Sequence, residues 1–326
     1  MRTGALIMVA IAGLFAPAAQ AGWTGWPVAP LHRQHPIRGS FLDPRIAGYH
    51  QGVDISVNDD RPEKGHPHGR THRVYAVEAG AVFDLHDGGL PCRSRNLRIG
   101  SFQYWHVDAV VSAGQHVSAG RMIGWTCLGN WHVHLGETEN GRWVNPLRAG
   151  SVLRPYADSA RPFIHAIRFL TPTGIGLAAD SLHGIVDVRG WIDDPQSFRG
   201  WFQGEYAILY TPLHPYGIRI SLRRLTDGAV VLARTVFVSA TIPAVPFTYH
   251  YAPGTRHVAA GTCFARLFQE RPFSCRSVFW FHLFATPFGR YWDTRAFRNG
   301  AYRLTVSAWD THGNRRGQAT LVRLRN

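Results

Sequence analysis

Tyr49-His50-Gln51-Gly52-Val53-Asp54-Ile55-Ser56-Val57 is the stretch on which the fold turns. From Val53 onward apolar and polar residues alternate, the period-two signature of a strand with one buried face. Residues two or four apart on a strand project from the same side, which points His50 and Asp54 together. A helix would also align positions four apart, but Gly52 and the alternation after it favour a strand. A second stretch, His132-Val133-His134-Leu135-Gly136-Glu137, aligns His132 with His134 in the same way. Two aligned pairs on adjacent strands can present four polar groups to one small site. Imidazole nitrogen and carboxylate oxygen are donors that zinc accepts, and a catalytic zinc uses three protein ligands with a water in the open position. The chain has 18 histidines, so either pair alone carries little weight. The weight lies in both pairs occurring in order, with His106 of Tyr104-Trp105-His106 between them.

Outward from these stretches, short apolar runs at 74–77, 80–83, 96–99, 102–107 and 131–135 are punctuated by Gly114-Gln115 and Gly120-Arg121. Such spacing predicts a compact, mostly antiparallel β domain over residues 22–153. Prolines and glycines across 154–180 predict a linker region with one short strand. Beyond it, longer runs at 185–191, 206–210, 218–225, 230–238, 278–284, 302–309 and 319–324 predict a β-sandwich over 181–326. The fold class expected is therefore mainly β: an antiparallel β-sheet domain followed by a β-sandwich. The tail from Asn299 through Asp310 to Asn314 resembles the last hairpin of immunoglobulin-like or fibronectin-III-like modules.

Arg2, the apolar run from Ala5 to Phe15 and Ala19-Gln20-Ala21 together predict a secretory signal peptide over 1–21, with a mature start near Gly22 and a periplasmic or secreted location. No second apolar run is long enough for a membrane helix, so no span is expected in the mature form. The formal net charge of +14 favours anionic surfaces such as cell-wall polymers. No zinc-finger, helix-turn-helix or RRM-type signature points to nucleic acid. In an exported chain, four cysteines predict disulfides, most simply within each half: Cys92 with Cys127, and Cys263 with Cys275. Neither pair is a Cys-x-x-Cys. There is also no His-Glu-x-x-His, Gly-x-Ser-x-Gly or P-loop, which excludes the commonest alternative hydrolase signatures.

Taken in order, the motifs resemble the lysostaphin-type (LytM-like) zinc endopeptidases, which cut the peptides of bacterial cell walls. The matching residues are His50-Gln51-Gly52-Val53-Asp54; Val74-Tyr75-Ala76-Val77-Glu78-Ala79-Gly80; Tyr104-Trp105-His106; Gly114-Gln115-His116-Val117 and Gly120-Arg121-Met122-Ile123-Gly124; His132 and His134; and Glu137, Asn140-Gly141 and Val144-Asn145-Pro146-Leu147. They span roughly Pro36 to Leu147, under half of the chain. The resemblance implies that His50, Asp54 and His134 bind Zn2+, and that His106 and His132 stay off the metal and act on the water and the reacting carbonyl. Which of the two does which is left open. It implies peptidoglycan peptides as substrate and a monomer, with the sandwich binding wall, positioning the enzyme or serving as a spacer. The alternative is a non-catalytic member that binds wall or activates another hydrolase. Departures from the pattern include a long loop at 58–73 carrying His66, His68 and His72, and a shortened loop at Cys127-Leu128-Gly129-Asn130, which a Cys92–Cys127 bond would brace.

Overall fold

The computed structural model describes residues 23–45, 48–57, 72–86, 89–127, 132–197, 212–256, 258–259, 262–263, 277–286 and 289–326. The expected signal peptide, the strand expected at 206–210, His66, His68 and Cys275 lie outside these residues. Among the described residues the secondary structure is strands and single 3₁₀ turns, with no α-helix, so the fold is mainly β. No helix among them is long and apolar enough to cross a membrane.

The first half is built on an eight-stranded sheet. Across it run Ile37–Gly39, Val53–Ser56, His132–Glu139, Phe102–Trp105, Asn96–Ile99, Gly80–His86 and His116–Val117, with Arg142–Val144 pairing His132–Glu139 as the eighth. All of these pairings are antiparallel. A smaller three-stranded sheet holds Arg73–Tyr75, Met122–Thr126 and Val107–Ala109. The alternation foreseen from the sequence sorts side chains by face. Val53, Ile55, Val133, Leu135, Leu97, Ile99 and Tyr104 turn into the core and are essentially inaccessible. Each such aliphatic side chain contributes about 1.5–3 kcal/mol through burial. The opposite face of the same strands carries the polar positions.

The second half has two four-stranded sheets. One contains Phe163–Leu170, Ile185–Asp193 and Trp280–His282, with Trp292–Asp293 pairing Ile185–Asp193; the other runs Val230–Val238, Gly217–Arg224, Gly300–Trp309, Arg315–Leu324. Phe237 of the second sheet meets Phe281 of the first at 5.0 Å between ring centres, so the sheets pack face to face as a sandwich.

The one short strand expected in the linker region is Phe163–Leu170, which is longer than expected, eight residues, and pairs along Ile185–Asp193 as an edge strand. A register shift between Ile164 and Ala166 breaks its alternation, which is why its apolar residues do not follow a period of two. The two halves also share hydrogen bonds. Gln196 donates to the Ile37 carbonyl at 2.7 Å and accepts from the Ile37 N–H at 2.8 Å, covering the edge of the main sheet. Ser239 Oγ donates to the Phe41 carbonyl at 2.8 Å, and Asn145 Nδ2 donates to the Ser239 carbonyl at 2.8 Å.

Candidate functional site

Strand His132–Glu139 sits between Val53–Ser56 and Phe102–Trp105, and its register sets the site. His134 lies directly across from Asp54 on one side and from Trp105 on the other, while His132 faces Ser56. His132, His134 and Asp54 therefore emerge on one face of two adjacent strands.

His50 reaches them by a different route from the one its spacing predicts. The strand begins at Val53, so His50 precedes it. Its backbone is held instead by the turn before it: the His50 N–H donates to the Asp43 carbonyl, and the Leu42 N–H donates to the His50 carbonyl, both at 2.9 Å. Gly52 then lets the chain run close under the partner strand. A Cβ there would lie 2.4 Å from the Leu135 carbonyl oxygen and 2.7 Å from His134 Nε2.

Three donor atoms converge. His50 Nε2 is 3.0 Å from Asp54 Oδ1 and 2.8 Å from His134 Nδ1, and His134 Nδ1 is 3.2 Å from the same carboxylate oxygen. All three side chains are buried or nearly so. This group can hold a metal ion. Bonds of about 2.0–2.1 Å in a tetrahedral arrangement put donor atoms about 3.3–3.4 Å apart, so a slight opening of the observed triangle fits a zinc-sized ion.

The surrounding groups prepare these donors. His50 Nδ1 donates to the Ser40 carbonyl at 2.7 Å, which leaves the lone pair on Nε2, facing the other two donors. Burial, reinforced by the Arg45 charge, pushes the His50 imidazole down to about 4, so it stays neutral as a ligand must. Arg45 donates to Asp54 Oδ2 at 2.8 Å, which orients the carboxylate and leaves Oδ1 towards the histidines. Burial alone would raise the Asp54 carboxyl. The positive groups around it, the Arg45 guanidinium among them, outweigh burial and hold the carboxyl well below the usual carboxylate range.

His106 and His132 stand beside this triangle with ring centres 4.7 Å apart, and His106 is 6.5 Å from His134. The sequence predicts one strand over 102–107, but the structure breaks it at His106, whose φ is +67°. Phe102–Trp105 belongs to the main sheet and Val107–Ala109 to the small one. The left-handed residue makes that transfer and turns the His106 ring to the site. It is held by the Arg95 carbonyl, which accepts from the His106 N–H, and by the Cys127 N–H, which donates to the His106 carbonyl, each at 2.9 Å. The His106 Nδ1 donates to the Arg93 carbonyl. Cys92 and Cys127 form the expected disulfide, with Cα atoms 5.6 Å apart, and so join the two segments that grip His106.

Three further residues were not visible in the sequence. Arg38, Arg45 and Ser40 all lie upstream of His50 at spacings with no pattern, and only the fold brings them in. Arg38 Nη1 sits 3.3 Å from His132 Nδ1. Glu137, by contrast, belongs to the opposite face of its strand and makes a two-pronged pair with Arg148 at 2.6 and 2.8 Å, away from the histidines. His72 is buried beside Thr126 rather than near the site, and its N–H donates to Thr126 Oγ1 at 3.2 Å.

No family model and no curated protein matches the chain. Among solved structures, Csd3 from Helicobacter pylori aligns in two crystal forms at TM-scores of 0.30 and 0.29, with 21% and 22% identity over 42% and 39% of this chain. Those alignments span only 36% and 33% of Csd3 itself. The structure described as cbpa from L. salivarius REN aligns at a TM-score of 0.28, with 24% identity over 38% of this chain and 92% of that one. Likeness at this level carries no argument, and the chemistry of the site rests on its own geometry.

Proposed function

We propose that the chain is a zinc-dependent endopeptidase of the lysostaphin type that hydrolyses peptide bonds in bacterial cell-wall peptidoglycan outside the cytoplasm. The observation that carries this reading is the convergence of His50 Nε2, Asp54 Oδ1 and His134 Nδ1 with two further histidines beside them. The order of motifs across residues 36–147 supplies the substrate class. The Cys92–Cys127 disulfide supports an oxidising compartment.

His50, Asp54 and His134 would hold the zinc, which when bound would lower the pKa of a coordinated water towards ~7 and polarise the scissile carbonyl. The remaining work divides between His106 and His132, and their hydrogen bonds give each a role. A carbonyl can only accept, so the Arg93 carbonyl fixes the His106 proton on Nδ1 and leaves Nε2 as a base. Burial pushes the His106 imidazole down to about 4, which keeps that lone pair free. A guanidinium can only donate, so Arg38 makes His132 Nδ1 the acceptor and leaves the proton on Nε2. His106 is thus the group that takes a proton from the attacking water and passes it to the leaving amine. His132 is the group whose Nε2–H meets the developing oxyanion.

His132→Ala and His106→Ala are each expected to keep zinc and lose wall-clearing activity by about 100-fold or more. The acid limb of the pH–rate profile should flatten in His106→Ala and persist in the residual activity of His132→Ala. Wild-type clearance by either variant would refute the catalytic assignment, and lack of hydrolysis by zinc-loaded wild type would favour a wall-binding, non-catalytic role.

A further inference from the structure

A second cluster of ionisable groups, separate from the metal triangle, lies where the segment leaving the first half meets the sandwich. Asp158 follows the segment that leaves the first half, Asp194 comes directly after strand Ile185–Asp193, and Asp310 directly after strand Gly300–Trp309. The three are at most 9% exposed, and one carboxylate oxygen from each lies within 4.8 Å of the others.

The groups around them are asymmetric. Asp158 Oδ1 accepts from the Ala160 and Ser197 N–H groups at 2.9 and 3.0 Å. Asp310 Oδ1 accepts from the His312 and Asn314 N–H groups, both at 2.8 Å, and its Oδ2 accepts from Asn314 Nδ2 at 2.7 Å. These bonds aim two carboxylates at a common point. Asp194 Oδ1, on a residue only 6% exposed, receives no hydrogen bond at all. No Lys, Arg or His among the described residues forms an ion pair with any of the three. Arg154 donates instead to the Leu153 and Arg148 carbonyls. His312 Nε2 is engaged with the Tyr156 carbonyl at 2.8 Å, so no imidazole is offered.

We propose that Asp158, Asp194 and Asp310 bind a calcium-class divalent cation that clasps the segment leaving the first half onto the sandwich. Buried carboxylates without a counter-charge are costly, and Asp194 brings a buried oxygen with no hydrogen-bond donor to a group of three carboxylates. An all-oxygen donor set selects a hard cation over zinc. Two Ca–O bonds of 2.3–2.6 Å span up to about 4.6–5.2 Å, so three oxygens within 4.8 Å of one another can share one ion. Burial, followed by the charges of Asp310, Asp158 and Asp193, pushes the Asp194 carboxyl well above the usual range, so without a cation it would take up a proton. The clasp would act where that segment already touches both halves. Gln34 accepts from the Ala157 N–H at 2.7 Å and donates to the Ala157 carbonyl at 3.1 Å, and Asn314 Nδ2 donates to the Asp158 carbonyl at 2.7 Å.

The test uses the full chain, stripped with chelator and reloaded with about one equivalent of zinc. Calcium is then titrated to about 10 mM while the melting temperature is followed, and Tb3+ luminescence is read as an independent probe of an oxygen site. A site of about 10⁻⁴ M affinity raises the melting temperature by about 4 °C at that concentration. One Tb3+ per chain should bind and be displaced by calcium. Asp194→Asn should lose both responses, and Asp54→Asn, which touches only the histidine site, should keep them. A wild-type protein that neither shifts with calcium nor binds Tb3+ would overturn the proposal. So would an Asp194→Asn variant that melts at or above wild type at every calcium concentration, the behaviour expected if the carboxyl is simply protonated.

Discussion

Replacing both Cys92 and Cys127 with serine is expected to damage activity while sparing metal binding. The bond closes a loop across a sequence separation of 35. Chain-entropy reasoning for a loop of that size gives a loss of about 4 kcal/mol of stability, or a fall in melting temperature of about 6 °C. The functional consequence follows from position. One side of the bond carries the Arg93 carbonyl that fixes the His106 tautomer, and the other carries the Cys127 N–H bonded to the His106 carbonyl. Without the bond, the left-handed His106 has less to hold it, since that conformation costs a non-glycine residue about 1–2 kcal/mol. None of the three donors at the metal triangle touches the disulfide. Thermal melts and wall-clearing rates of the zinc-loaded double variant should show the stability loss, a drop in rate of about tenfold or more, and unchanged zinc stoichiometry. A variant that melts within about 2 °C of wild type and clears wall at the same rate would refute the role given to this brace.

Gly52→Ala should cost about 1–3 kcal/mol in urea unfolding, because the new Cβ meets a backbone carbonyl at 2.4 Å that cannot swing away; a change under about 0.5 kcal/mol would contradict that packing. Glu137→Gln breaks the ion pair with Arg148 and should lower stability by about 1–3 kcal/mol while activity per folded molecule stays at wild type; a folded but inactive variant would mean Glu137 serves the site after all. For protein stripped of metal, acid should destabilise well above the carboxylate range. Burial holds His50, His106 and His250 down to about 4 against ~6.5 in the unfolded chain, so the unfolded state binds more protons in between. Stability is then full above about pH 6.5 and lost as pH falls towards 4, and urea midpoints at pH 7 and pH 5 should differ clearly. Equal midpoints would contradict the neutral burial of these rings.

Much of the candidate site was legible because strand periodicity and register carry it. The alternation around Val53 and Val133 placed Asp54, His132 and His134 on one face, and antiparallel pairing then set His134 opposite Asp54. Spacing misled for His50, which is brought in by a turn rather than by the strand. It also misled at His106, where one left-handed residue splits an expected strand between two sheets. A φ value leaves no periodic trace in sequence. Arg38, Arg45 and the Ser40 and Arg93 carbonyls were invisible for a different reason: they matter through contacts that only the folded chain creates. The same holds for Asp158, Asp194 and Asp310, three isolated acids at strand ends until the sandwich gathers them. The full length of strand Phe163–Leu170 was obscured by its register shift, which breaks the alternation that would have marked it.

X-ray diffraction recorded at the zinc absorption edge, on crystals of the zinc-loaded full chain, bears most directly on the metal centre. The expected result is a single strong anomalous peak within about 2.0–2.2 Å of His50 Nε2, Asp54 Oδ1 and His134 Nδ1. No peak there, or a peak bonded to His106 or His132 in place of any of the three, would contradict the account.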